Sequence, residues 1–173
     1  MRNNNKKDRF SWALDIIKPD GLDRILEVGC GAGMLVEKLA ASLTEGKVIA
    51  MDKSPSMIRA ATKRNHHFIE AGKVEFLIQD YTTASLPLYS FDKVVAFNVR
   101  AFWQRPTNYL PFLYTQLKQH GTFYLFYQPP VNNTLYLIQQ ANNVLVKFNY
   151  HIENVQIEPL EPAPAFCIIA TVN

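Results

Sequence analysis

The chain has 173 residues, 48% of them hydrophobic and 19% charged, with 7 Gly and 10 Pro, a balance that excludes collagen-like and disordered classes and suits one globular domain. The formal charge of +3 is concentrated in the first nine residues, where Arg2, Lys6, Lys7 and Arg9 stand against Asp8, and a short basic tail without a basic face argues against a nucleic-acid partner. No run approaches the ~18 apolar residues of a membrane span, and no signal-peptide core opens the chain, so a cytoplasmic location is expected. The two cysteines, Cys30 and Cys167, are too few for a disulfide framework and too far apart for a paired zinc motif.

Residues 24–28 form a short apolar run that ends in Gly29-Cys30-Gly31-Ala32-Gly33, after which Met34, Leu35, Leu39 and Leu43 recur at helical spacing. That pattern predicts strand, glycine turn, helix. A second strand is predicted at 47–51, closing at Asp52. Ser54 before Pro55 is a helix-start signal, continued by Met57, Ile58 and Ala61 and stopped by Gly72. A third strand at 74–78 closes at Gln79-Asp80, and a fourth at 93–97 closes at Asn98.

A helix is predicted over 107–118, with a late start or a kink because Pro111 falls inside it. Gly121 precedes a fifth strand at 122–127, a helix follows at about 133–148, and strands at 155–157 and 166–172 flank a turn rich in proline. Apolar strands alternating with helices predict a mostly parallel sheet covered on both faces, with its ligand crevice outside the carboxyl ends of the strands. The ends in question carry Glu27 with the glycine turn, Asp52, Asp80 and Asn98.

Glycines in the turn permit positive φ and close approach of a ligand to the backbone. A dinucleotide fingerprint would need a third glycine at position 34, which is Met34. Glu27, two places before Gly29, suits an amine better than a pyrophosphate. Asp52 follows Gly33 by 19 residues, the distance at which an acid accepts hydrogen bonds from ribose hydroxyls. Asp80 suits an exocyclic adenine amine. Met57 fits either a purine face or the core.

The turn 29–33 after Glu27, the run 52–58, Ile78-Gln79-Asp80 and the segment 90–99 together resemble the successive motifs of class I S-adenosylmethionine-dependent methyltransferases. The branch most resembled acts on small molecules and is similar to the quinone-biosynthesis C-methyltransferases; the resemblance covers residues 24 to about 128. It implies a Rossmann-like, doubly wound α/β domain over 1–173: a short N-terminal segment, 1–23, and a core, 24–173. The implied sheet has seven strands in the order 3-2-1-4-5-7-6, the last antiparallel. It also implies S-adenosylmethionine as cofactor, S-adenosylhomocysteine as product, and no metal. The cofactor-binding residues it implies are Glu27, Gly29, Cys30, Gly31, Gly33, Asp52, Lys53, Met57, Asp80, Tyr81, Asn98 and Val99.

Lys53 and Gln119-His120-Gly121 depart from the family pattern. The short segment before the first strand leads to the expectation that an ordered tail containing Phe10 and Trp12, or a partner subunit such as a second copy, closes the site. The acceptor is expected to be a small molecule. No general base is singled out among Tyr81, Tyr89, Tyr127 and four histidines; His66 and His67 are adjacent on a helix and point apart, against a shared metal. Phe97, Phe102, Trp103 and Tyr109 fit either an apolar pocket or packing, and Arg100 and Arg105 fit either an anionic group or solvent. Three functions stay open on the residues: a methyltransferase, a catalytically silent cofactor-binding module, and a nicotinamide oxidoreductase, the last opposed by Met34.

Overall fold

The structure, a computed structural model, describes residues 8–80 and 86–172. Tyr81 and the tail bases Arg2, Lys6 and Lys7 lie outside the described residues. In chain order the elements are α1 (Arg9–Ile17), β1 (Arg24–Val28), α2 (Met34–Ser42), β2 (Lys47–Asp52), α3 (Pro55–Arg64), α4 (His66–Glu70), β3 (Val74–Ile78), β4 (Phe91–Phe97), α5 (Ala101–Gln104), α6 (Pro106–Gln116), β5 (Leu117–Tyr127), α7 (Thr134–Lys147), β6 (His151–Glu158) and β7 (Ala165–Thr171). The strands form one sheet in the order β3-β2-β1-β4-β5-β7-β6. Its first five strands are parallel, and β7 runs antiparallel to both β5 and β6.

Alternation along each strand sends side chains to two apolar layers. Leu26, Val28, Ile49, Met51, Val94 and Ala96 pack with Phe102, Leu110, Leu113 and Leu145 from α5, α6 and α7. Ile25, Val48, Ala50, Val95 and Phe126 face the opposite layer, with Trp12 and Ile17 of α1, Leu35 and Leu39 of α2 and Ile58 of α3. Burial on both faces explains why the central strands read as mostly apolar runs, with Glu27 the buried polar residue within β1. The chain leaves β1 toward one edge of the sheet and returns at β4 on the other side of β1. The crevice between the ends of β1 and β4 is therefore the switch point of the sheet.

Several boundaries differ from expectation. Residues 9–17 form α1, whose Asp8 cap accepts hydrogen bonds from the backbone N–H of Phe10 at 2.9 Å and of Ser11 at 3.1 Å. α6 starts early, with Pro106 in its first turn, and runs through Pro111. β5 starts at Leu117, five residues before the predicted strand; Gly121, expected to precede the strand, lies inside it at an irregularity where the register with β4 shifts and His120 takes a φ of 63°. The helix after Ser54 breaks at Asn65 into α3 and α4. The short α5 was not predicted. Among the described residues no helix is long and apolar enough to cross a membrane.

Candidate functional site

The strand β1 ends in a turn whose backbone is committed to β2. The N–H groups of Gly29 and Cys30 both donate to the Met51 carbonyl, at 2.8 and 3.0 Å. Gly31 N–H donates to Asp52 Oδ2 at 3.0 Å, while Asp52 Oδ1 accepts from Ser54 N–H at 2.9 Å. One carboxylate thus ties the glycine turn to the start of α3. Ser54 Oγ in turn accepts from Met57 N–H at 3.4 Å and caps that helix.

The glycines of the turn have different reasons to be glycine. Gly31 has a φ of +52°, and a Cβ added there would meet nothing within 4 Å, so its open side faces free space. A Cβ on Gly29 would come within 2.6 Å of Val99 Cγ2, which measures how closely the ends of β1 and β4 approach. At Gly33 a Cβ would collide with Asn65 Nδ2 at 2.6 Å and Ala61 Cβ at 2.9 Å. Packing against α3 accounts for Gly33. The Cys30 side chain turns into the apolar layer, and burial, together with the nearby Glu27 and Asp52, pushes its thiol up.

Asn65 and Arg64 support this turn from below and carry no sequence signal of their own. Asn65 is completely buried and donates to Gly33 O at 3.1 Å and Ala61 O at 3.0 Å. Arg64 Nε donates to Ala32 O at 3.2 Å.

Glu27 lies in the middle of the sheet, in register with Ala50 and Val95, and is 2% exposed. Its Oε2 is buried without a hydrogen-bond partner among the described residues. Burial pushes its carboxyl up to about 8, since a charge there has lost its water without gaining a cation.

A cavity of about 400 Å³ opens at the switch point and is lined by Gly29, Asp52, Lys53, Asp80, Asn98 and Val99. Its other wall is Phe97, Arg100, Ala101, Gln104, Arg105 and Tyr109. Six of the predicted site residues therefore share one cavity. Glu27, Cys30, Gly31, Gly33 and Met57 are not among its lining residues. Met57 is 45% exposed on α3, so it is a surface residue and not part of the core. Asn98 holds its place in a left-handed conformation, φ 60°, with its Oδ1 accepting from Gln128 N–H at 2.9 Å and its own N–H donating to Phe126 O at 2.9 Å.

The N-terminal helix adds to the wall formed by Phe97. Phe10 packs on Phe97 at 5.3 Å between ring centroids, Arg9 lies over both rings, and the buried Trp12 stands edge-on to Phe126 at 5.4 Å. Phe102 is fully buried and packs on Phe123, so of the four aromatics between Phe97 and Tyr109 only those two line the cavity. His66 is exposed beside Glu70, at 3.5 Å.

Residues 25–121 match the model of the family described as "Methyltransferase domain". The chain belongs to this family, in its class I, S-adenosylmethionine-dependent type. The methyltransferase domain is 26% identical over 155 residues to an uncharacterized chloroplastic methyltransferase of Arabidopsis thaliana, covering 85% of this chain and 43% of that one. It is 29% identical over 121 residues to a malonyl-[acyl-carrier protein] O-methyltransferase of Halalkalibacterium halodurans, covering 65% of this chain and 43% of that one. The chain thus spans less than half the length of these relatives. In structure it resembles magnesium protoporphyrin IX methyltransferase from Synechocystis PCC 6803, crystallised with bound SAM, with a TM-score of 0.71 at 16% identity over 95% of this chain and 76% of that one. At that identity the likeness concerns the fold, whose strand order was the one expected.

Proposed function

We propose that this domain transfers a methyl group from S-adenosylmethionine to a small-molecule acceptor. The observation that carries the reading is the single cavity at the switch point, in which the end of the glycine turn meets Asp52, Asp80 and Asn98. Two further features fit the cofactor. The space beside Gly31 is open, so a ligand can approach the backbone of the turn there, and the unpaired Glu27 Oε2 is a buried acceptor that an ammonium group would satisfy. The relatives named as methyltransferases and the structural neighbour with bound SAM support the same choice.

In this reading Asp52 accepts from the ribose hydroxyls with the lone pairs not used by Gly31 and Ser54, and Asp80 accepts from the adenine amine. Met57 covers the purine face, Lys53 borders the nucleoside, and Glu27, Asn98 and Val99 surround the methionine end beside the backbone of 29–31. When bound, S-adenosylmethionine supplies an electrophilic methyl on a sulfonium, open to displacement in line by the acceptor. The task of the chain's own residues is alignment and exclusion of water. Phe97 and Tyr109 form apolar wall, and α1 backs Phe97 from within the same chain. The names carried by two of the similar proteins, with malonyl-[acyl-carrier protein] in one and magnesium protoporphyrin IX in the other, favour a metabolite over a nucleic acid as acceptor.

The test is calorimetric titration with S-adenosylhomocysteine beside NADH. Micromolar binding of S-adenosylhomocysteine without comparable binding of NADH is expected. Failure of S-adenosylhomocysteine to bind at millimolar concentration would overturn the reading, and tight NADH binding would replace it with an oxidoreductase.

A further inference from the structure

The wall of the cavity opposite the glycine turn carries two cations that the cofactor reading does not use. Arg100 and Arg105 flank α5, a single helical turn closed by Gln104 N–H to Arg100 O at 3.1 Å and Arg105 N–H to Ala101 O at 2.8 Å. The backbone that launches both side chains is therefore set. Neither guanidinium makes an ion pair or a hydrogen bond among the described residues. They share this with Lys53 of the same cavity, whereas Lys93 is paired with Asp23 and Lys118 with Asp92 elsewhere in the domain.

Resting on the methyltransferase reading, we propose that Arg100 and Arg105 form an acceptor subsite for a carboxylate, and that the acceptor is a small acid with an apolar body. A guanidinium presents a planar fork of donors that matches a carboxylate in a bidentate way. The same cavity is lined by Phe97, Val99 and Tyr109, whose rings and methyl groups suit an apolar body. Both arginines are exposed, so their guanidinium groups are free to turn to a bound acid, and an anion gains charge-assisted hydrogen bonds there that a neutral acceptor does not. The acids of the cavity, Asp52 and Asp80, belong to the β2 and β3 ends of the crevice. An acceptor carboxylate held on α5 lies on the side of β4, away from those strands in the sheet order. Lys53, a flexible point charge next to Asp52, lacks the fork and sits with the nucleoside residues.

The test uses the domain saturated with S-adenosylhomocysteine. Benzoate, 4-hydroxybenzoate and octanoate are each titrated beside the corresponding primary amide, with inorganic phosphate as a further probe, on wild type, Arg100→Gln, Arg105→Gln and the double variant. At least one acid is expected to bind about tenfold or more tightly than its amide. That preference should shrink in each single variant and vanish in the double variant, while S-adenosylhomocysteine binds all four proteins alike. The inference is overturned if no acid is preferred over its amide, if phosphate binds as tightly as the best acid, or if the preference survives in the double variant. It is also overturned if the arginine variants lose S-adenosylhomocysteine, which would assign the pair to the cofactor. Failure of wild type to bind S-adenosylhomocysteine at all would instead remove the methyltransferase reading beneath it.

Discussion

The backbone N–H of Gly31 donates to Asp52 Oδ2 at 3.0 Å, so the carboxylate proposed to hold ribose also holds the glycine turn in shape. Removing it should therefore do more than delete ligand contacts. Asp52→Ala is expected to weaken S-adenosylhomocysteine binding by about 1 to 3 kcal/mol, from lost charge-assisted hydrogen bonds, and also to lower the melting temperature. Asp52→Asn keeps one acceptor oxygen and should lie between wild type and alanine in both. Calorimetry and thermal melts of the two variants separate these effects; unchanged affinity in Asp52→Ala would reject the ribose assignment.

Gly31 and Gly33 both have positive φ, yet their alanine variants should fail in different ways. At Gly31 the new Cβ enters open space, so folding loses only the backbone strain, about 1 kcal/mol, while the volume assigned to the cofactor is invaded. At Gly33 the Cβ strikes Asn65 and Ala61, and the contact between α2 and α3 has to give. Gly31→Ala should melt near wild type and bind S-adenosylhomocysteine poorly. Gly33→Ala should melt much earlier. The reverse pattern, read by paired melts and titrations, would show that the cofactor's approach has been placed at the wrong glycine.

What could be read from residues was what parallel strands make local. β1, β2 and β3 are short, mostly apolar runs, and Asp52 at the end of β2 and Asp80 two residues after β3 could be picked out without any knowledge of tertiary contacts. The site residues that escaped reading act at long range. Asn65 matters only because the fold brings it under Gly33, 32 residues earlier, and nothing in its neighbourhood marks it. α1 did carry local signals, since Asp8 precedes Phe10, Ala13 and Ile17 at helical spacing; placed near the start of the chain, they read as a tail. The extra length of β5 was hidden by Gly121, read as the boundary of the strand although it lies inside it, next to an irregularity at His120.

Trp12 gives α1 its anchor. It is 3% exposed and stands edge-on to Phe126 in the layer shared with α2. Trp12→Ala should cost about 3 to 5 kcal/mol of stability, because the emptied volume cannot be refilled by a rigid sheet face. Denaturant unfolding measures this directly. A loss below about 1 kcal/mol, the range of an exposed site, would mean that α1 is only loosely attached and does not support the Phe97 wall.

Glu27 should make both stability and cofactor binding depend on pH. Its folded carboxyl is raised to about 8, against 4.5 in the unfolded chain, because burial opposes its charge. Below 4.5 the group is neutral in both states and costs nothing. Between 4.5 and 8 the unfolded chain releases a proton that the folded chain keeps, so stability falls as pH rises and levels off above 8. Glu27→Gln removes the ionisation and should flatten that slope. At alkaline pH the variant should then be more stable than wild type by a few kcal/mol, on the order of 1.4 kcal/mol for every pH unit crossed in that window. The same burial has the opposite consequence for binding. If Glu27 meets the methionine ammonium, the ligand favours the carboxylate, and near neutral pH each S-adenosylhomocysteine bound should expel close to one proton. Titrations in buffers of different ionisation enthalpy count that proton, and Glu27→Gln should bind the ligand more weakly and release none. Equal heats in all buffers for wild type would separate Glu27 from the ammonium and leave its burial as a purely structural cost.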